Sequence, residues 1–222
     1  NGTPHDAEVL THEAGHAFQV YESRNYMPDY IWPTFEACEI HSMSMEYLTW
    51  PWMDLFFKED TEKFKYYHLT GSLKFLPYGV TVDEFQHICY EKPELTPKER
   101  TYEWHKLEEK YMPWRKYDES DEFMNRGGYW YHKLHIFQDP MYYINYTLTT
   151  MGAMEFKKKY AEDKEKAWED YLKLCKVGGS LSYLETLKYA NVSSPFEEGS
   201  VEKSCSYAKE ILEETIKSGK WD

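Results

Sequence analysis

Apolar residues recur every three or four positions along most of this 222-residue chain, which is the spacing of an amphipathic helix. Alternating apolar and polar runs, which would indicate strands, do not extend beyond about four or five residues. The pattern therefore predicts an all-α, mainly helical fold. The predicted helices cover approximately residues 6–22, 35–49, 60–75, 81–92, 97–111, 161–175, 182–189 and 200–217.

Proline, glycine and charged residues mark the breaks between these helices. Pro77 and Gly79 are predicted to end the third helix, because proline lacks the N–H that a helix interior needs. Residues 113–128 are highly charged and end in two glycines, which predicts a loop. Residues 129–160 follow as one long segment that is rich in aromatic residues and is interrupted at Pro140.

Composition limits the cellular locations and the kinds of partner that are expected for the chain. The formal net charge of −13 argues against a nucleic-acid-binding surface. The four cysteines form no C-x-x-C pair, which favours a reduced, cytoplasmic protein. No apolar run approaches the roughly 20 residues that cross a bilayer, so no membrane interaction is expected. Because no repeat or linker divides the sequence, residues 1–222 are predicted to form one domain.

The clearest chemical signal is an H-E-x-x-H motif that runs from His12 to His16. Positions i and i+4 lie one turn apart on the same helix face, so both imidazoles can bind one zinc ion. Glu13 is suited to be the general base that takes a proton from water and passes it to the leaving amine. The motif predicts a zinc hydrolase and points to the peptide bond as its substrate.

A catalytic zinc site needs one further protein ligand, and the next predicted helix offers several acidic and imidazole side chains. Glu36, Glu39, His41 and Glu46 are all candidates. Glu39 and Glu46 are two helical turns apart and share a face, so one could bind the metal while the other holds a ligating imidazole in place. Glu36 shares much of that face, and spacing alone does not choose between the three carboxylates.

Tyr143 and Tyr146 share a helix face, and a tyrosine hydroxyl could donate a hydrogen bond to the oxyanion that forms during hydrolysis. The simpler interpretation is a buried aromatic stripe, which is the commoner fate of such spacing. His132 and His135 could form a second metal-binding pair, although no acidic partner accompanies them.

Several stretches resemble the C-terminal catalytic part of oligoendopeptidase F, in the thimet oligopeptidase family of zinc metallopeptidases. Residues 10–18 contain the H-E-x-x-H motif, residues 39–42 read E-I-H-S, and residues 135–146 contain the histidine and the tyrosines. The resemblance extends over nearly the whole chain. It implies the zincin-type catalytic half of a two-lobed oligopeptidase whose channel admits short, unstructured peptides.

The resemblance also implies a role for each residue of the metal site. His12, His16 and Glu39 are expected to bind one zinc ion, and Glu13 to act as the general base. Glu46 is expected to hydrogen-bond to one of the ligating histidines.

The remaining implied roles concern the aromatic segment. His135 and Tyr146 are expected to stabilise the transition state as catalytic donors, and Tyr143 and His135 to contact substrate. In such peptidases a helical lobe and a substrate-binding sheet precede the motif, whereas only eleven residues precede His12 here. The chain is therefore expected to be a C-terminal catalytic domain whose partner is the N-terminal half of the same protein. Alone it should bind zinc weakly and cleave peptides poorly.

Three other functions compete with a zinc-dependent endopeptidase. One is a zinc hydrolase of a non-peptide amide or ester, which a substrate panel would separate. Another is a catalytically impaired peptide-binding fragment, although the intact Glu13 argues against it. The third is a structural helical domain in which the motif is fortuitous.

Overall fold

The computed structural model describes residues 2–219, and this part of the chain is helical and contains no strand. The all-α prediction is therefore confirmed. The α-helices are α1 (Pro4–Glu22), α2 (Pro28–Ile31), α3 (Cys38–Leu48), α4 (Asp54–Phe57), α5 (Thr61–Glu91), α6 (Pro97–Tyr111), α7 (Glu122–Asn125), α8 (His135–Gln138), α9 (Ile144–Glu162), α10 (Lys164–Val177), α11 (Tyr183–Tyr189) and α12 (Ser200–Ser218). Short 3₁₀ helices cover Trp50–Trp52, Lys58–Asp60 and Gly128–His132.

Local side-chain bonds explain where the main helices begin. A capping box opens α1, in which Thr3 accepts from the Asp6 N–H while the Asp6 carboxylate accepts from the Thr3 N–H. Thr96 and Glu99 form the same arrangement at the start of α6. Proline occupies the first turn of both helices, where its missing N–H costs no hydrogen bond.

The prediction that Pro77 and Gly79 end a helix is wrong, because α5 continues through both residues from Thr61 to Glu91. Thr81 donates its hydroxyl to the Pro77 carbonyl at 2.8 Å, which adds a bond next to the site where proline removes one. Gly79 lies against the Thr147 side chain, which a β-carbon would overlap. The glycine therefore provides a close packing contact rather than a helix end.

Two other segments differ from the sequence prediction. Residues 113–128, predicted as a loop, contain the short helix α7, whose first turn is capped by Asp121 through the Met124 N–H at 3.0 Å. The helix predicted for residues 161–175 begins at Lys164 instead, because Asp163 ends the preceding helix and caps α10. The predicted interruption at Pro140 is present, since α8 ends at Gln138 and α9 begins at Ile144.

The chain forms two compact units. The first combines the residues up to Leu73 with those from Leu148 onward, and Ile40, Phe156 and Tyr171 are fully buried in its core. The second comprises residues 74–147 and is built around an aromatic cluster that includes Phe85 and Trp104. The expectation that residues 1–222 are one catalytic domain stays a prediction.

The four cysteines, Cys38, Cys89, Cys175 and Cys205, are all free thiols. Within residues 2–219, the helices are too short or too polar to span a bilayer.

Candidate metal centre

Helix α1 presents the two histidines of the motif on one face. His12 and His16 lie one turn apart, with their ring centroids separated by 5.0 Å and their planes nearly perpendicular. Both side chains are only partly exposed, at 23% for His12 and 16% for His16. The adjacent Glu13 is exposed and stays accessible to water.

Gly15 allows α1 and α3 to approach each other closely. A β-carbon at this position would lie 2.6 Å from the Ser42 α-carbon and 2.9 Å from the His41 carbonyl oxygen. Real β-carbons essentially never approach backbone atoms this closely, so only glycine fits without moving α3. The glycine inside the motif therefore sets the distance at which a side chain of α3 can reach the histidines.

Glu39 is the side chain of α3 that reaches both imidazoles. Its Oε2 lies 3.1 Å from His12 Nε2 and 3.3 Å from His16 Nε2. Potential donor atoms of the three residues all lie within 4.8 Å of one another. Ligands at zinc bond lengths in a tetrahedral site are separated by about 3.4 Å, so these atoms are spaced as a metal ion requires. The Ser42 hydroxyl donates to Glu39 Oε2 at 2.9 Å and helps to orient the carboxylate.

Electrostatics couple the three groups strongly. Burial alone would lower the pKa of His12, but its hydrogen bonds to the Glu39 and Glu46 carboxylates outweigh burial and raise the pKa to about 9. Burial would likewise raise the pKa of Glu39, yet the bonds from His12 and His16 hold it far below its usual range. A buried carboxylate facing two imidazoles is a donor set that suits a divalent cation, which takes over the bonds that protons otherwise make.

Glu46 lies on the same face of α3, two turns beyond Glu39. Its Oε1 is 2.7 Å from His12 Nδ1, and its Oε2 is 2.7 Å from His68 Nε2. Burial would raise the pKa of Glu46, but the bonds from both histidines lower it. The carboxylate therefore holds the ring of His12 through the nitrogen that does not face Glu39.

The sequence pattern does not predict the involvement of His68. It comes from α5, 22 residues after Glu46, and belongs to none of the motifs. No local spacing signals it, since the contact exists only once α3 and α5 are packed together.

The other two candidates on this helix do not join the cluster. Glu36 is exposed and precedes the first residue of α3. The His41 ring is fully buried, with Nδ1 3.2 Å from the Cys38 carbonyl oxygen and Nε2 3.2 Å from the Leu174 carbonyl oxygen. Burial lowers the pKa of His41 to about 4. Of the alternatives left open by spacing, the structure brings only Glu39 to both histidines.

The predicted donors of the aromatic segment lie together in the second unit. The His135 ring is 5.1 Å from the Tyr143 ring and 5.7 Å from the Tyr146 ring, and the two tyrosine rings are 5.3 Å apart. Tyr143 is only 5% exposed and packs against Phe75, and burial raises the pKa of its hydroxyl. This packing agrees with the buried aromatic stripe, and the catalytic role of the three residues stays a prediction.

The pairing of His132 with His135 receives no support as a second metal site. His132 is exposed, and its ring centroid lies 5.5 Å from that of Tyr129. Within residues 2–219, the cluster of His12, His16 and Glu39 is the group of three metal-ligating side chains that converges.

Comparison with known proteins places this site in a family. The model of the family described as Peptidase family M3 matches residues 3–204. An oligoendopeptidase F homolog from Borreliella burgdorferi is 31% identical, over 96% of this chain and 36% of its own length. The solved structure of PZ peptidase A with an inhibitor has a TM-score of 0.93 and 54% identity, over 96% of this chain and 38% of that one.

A second solved structure gives the same result. A structure from Bacillus anthracis str. Ames, described as an oligoendopeptidase F, has a TM-score of 0.81 and 49% identity, over 95% of this chain and 35% of that one. The chain thus spans between 35% and 38% of the length of each of these relatives. Because the family match covers most of its residues, the chain belongs to peptidase family M3.

Proposed function

We propose that this chain carries the metal centre of a zinc-dependent endopeptidase that hydrolyses internal bonds of short oligopeptides. The observation that carries the proposal is the convergence of His12, His16 and Glu39 next to an exposed Glu13. Membership of peptidase family M3 supports the peptide as substrate. In a purely structural domain, burying a carboxylate against two imidazoles would cost desolvation free energy, which a bound metal ion offsets.

One zinc ion is the metal that we propose for this donor set. Two imidazoles and one carboxylate are the ligand set of several zinc peptidases, and they leave a position open for water or substrate. When bound, Zn²⁺ polarises the scissile carbonyl and acidifies water. His12, His16 and Glu39 would hold the ion, and Glu46 would keep the His12 ring in its ligating orientation.

Glu13 is proposed as the general base. It follows the first ligand directly and remains accessible, so its carboxylate can take a proton from water that attacks the carbonyl carbon. The same carboxyl group can then deliver that proton to the leaving amine as the C–N bond breaks. Tyr146 and His135 are proposed to donate hydrogen bonds to the developing oxyanion, and Tyr143 together with His135 to contact the substrate.

The longer relatives and the metal site both support a peptide substrate. We propose short, unstructured peptides that bind in a channel between this catalytic part and an N-terminal lobe of the same protein. The chain spans little more than a third of the relatives, which leaves room for such a lobe in them.

A quenched fluorescent peptide tests the proposal on the 222-residue chain loaded with zinc. We expect slow, chelator-sensitive cleavage at an internal bond, which zinc restores. Glu13→Gln should reduce turnover by at least about a hundredfold while zinc stays bound, because a general base contributes roughly 10²–10⁴ in rate. Glu169→Gln, at an exposed carboxylate of α10, serves as the control and should leave turnover unchanged.

Parallel assays on an ester and on a non-peptide amide separate the competing functions. Hydrolysis of these substrates but not of peptides would replace the proposal with a different zinc hydrolase. A zinc-loaded chain that binds peptides without cleaving any substrate would contradict it in favour of a peptide-binding fragment.

A further inference from the structure

The hydrogen bond that His68 Nδ1 accepts from Trp50 defines the tautomer of the His68 ring. The Trp50 indole Nε1 donates a hydrogen bond to His68 Nδ1 at 2.9 Å. An indole N–H can only donate, so Nδ1 must be an acceptor and carries no proton. The proton of a neutral imidazole must then sit on Nε2, which lies 2.7 Å from Glu46 Oε2 and donates to it.

The surroundings of His68 prevent the ring from turning to another arrangement. The side chain is only 7% exposed, and Trp50 is 5% exposed. The Tyr47 ring stacks on the imidazole with centroids 4.7 Å apart, and Phe64 stacks at 5.8 Å. A rotation that exchanged the two nitrogens would break both hydrogen bonds inside the core, where unpaired polar groups are costly.

These hydrogen bonds connect Trp50 to the metal centre. Trp50 donates to His68, His68 donates to Glu46 Oε2, and Glu46 Oε1 accepts from His12 Nδ1 at 2.7 Å. Because Glu46 is oriented by two donors on its two oxygens, Oε1 faces the His12 ring. When a metal ion takes the place of the proton on Nε2, which faces Glu39, the remaining proton of His12 is held on Nδ1 and Nε2 is the ligating nitrogen.

We propose that His68 and Trp50 are positioning residues that fix, through Glu46, the tautomer in which His12 binds the metal. The 3₁₀ turn Trp50–Trp52, which follows α3 and contains Pro51, places the Trp50 indole next to His68 on α5. The inference rests on the proposed zinc centre and adds residues that no motif of the sequence contains.

The test measures zinc affinity of the full 222-residue chain by competition with a chromophoric chelator. Outer partners of metal-bound histidines are worth about 10–100-fold in metal affinity. We expect His68→Leu and Trp50→Phe to weaken zinc binding by about tenfold, at the lower end of that range. His68→Gln, whose amide can still donate to Glu46, should lose less than His68→Leu.

A double-mutant cycle distinguishes positioning from a general loss of structure. If His68 acts through Glu46, then Glu46→Gln with His68→Leu should bind zinc no more weakly than Glu46→Gln alone. His87→Leu is the control, because His87 lies on the same helix and faces a carboxylate, Asp83, at 3.6 Å while remaining 55% exposed. It should leave zinc affinity unchanged.

Nitrogen-15 spectra of the metal-free chain give an independent readout. At neutral pH, His68 should be protonated on Nε2 alone, and Trp50→Phe should produce a mixture of states at that ring. A doubly protonated His68 in the wild-type chain would overturn the inference. So would a zinc affinity within twofold of wild type in His68→Leu and Trp50→Phe, or losses that add up in the double-mutant cycle. A wild-type chain that binds no zinc would instead contradict the proposed function.

Discussion

At the scale of single residues, Gly15 controls whether Glu39 can meet the two histidines. A methyl group there would press on the backbone of α3, at Ser42 and at the His41 carbonyl. We predict that Gly15→Ala destabilises the metal-free chain by about 1–3 kcal/mol, as overpacking of a tight contact usually does, and that it weakens zinc binding. Urea unfolding and chelator competition measure the two effects.

Gly71→Ala is the matched control for this substitution. Gly71 lies inside α5, and a β-carbon there would meet nothing within 4 Å. The change should stabilise the chain by up to about 1 kcal/mol through helix propensity, with zinc affinity unchanged. Equal responses of the two variants would show that the approach of α1 to α3 does not depend on Gly15.

The residues of the site differ in how far the sequence could predict them. His12, Glu13 and His16 follow from a spacing that one helix alone imposes. Glu39 required the resemblance to a family, because Glu36 is equally acidic and the arrangement of two helices decides between them. His68 lies outside any pattern, since its place depends on contacts across 22 and 18 residues that packing alone creates.

At the scale of elements, an ionic cluster joins α9 and α10 to the segment after α11. Asp170 accepts from Lys159 Nζ and Lys173 Nζ, each at 2.9 Å, and from Asn191 Nδ2 at 2.7 Å. Burial would raise the pKa of Asp170, but these three donors outweigh it and lower the pKa to about 2. The side chain is 2% exposed, so water screens the bonds little.

The depressed pKa predicts how stability depends on pH. The contribution of Asp170 should be complete above its unfolded pKa and should be lost as pH falls from about 4 towards about 2. Asp170→Asn should therefore cost on the order of 2 kcal/mol at pH 7 and flatten the stability profile below pH 5. Urea unfolding between pH 7 and pH 3 measures both effects.

The exposed neighbour Glu169 provides the control for Asp170. Glu169→Gln should shift the unfolding midpoint only slightly at every pH. The account of this cluster fails if the two variants have the same pH profile.

Helix starts were easier to predict than helix continuity. Thr96 followed by Pro97 marks the start of α6, because the signal is a local bond within one turn. Pro77 and Gly79 are equally strong local signals for a helix end, yet α5 passes through both. Tertiary packing around Gly79 and Thr147 outweighs the local preference there, and a single sequence carries no information on that contact.

At the scale of the whole molecule, the candidate metal centre is complete within one compact unit. His12, His16, Glu39, Glu46 and His68 all precede Leu73 in the chain. Metal binding can therefore be measured on the 222 residues alone, although they span little more than a third of the relatives. Catalysis and substrate choice are proposed to depend in addition on the aromatic segment and on an N-terminal lobe.

The central claim is that His12, His16 and Glu39 hold one zinc ion. Zinc content after equilibrium dialysis at saturating free zinc tests it most directly, with Glu39→Gln compared with Glu36→Gln, the exposed carboxylate three residues away. The account predicts one zinc per chain for wild type and for Glu36→Gln, and a large loss for Glu39→Gln under the same conditions. A wild-type chain without zinc, or equal zinc in both variants, would contradict it.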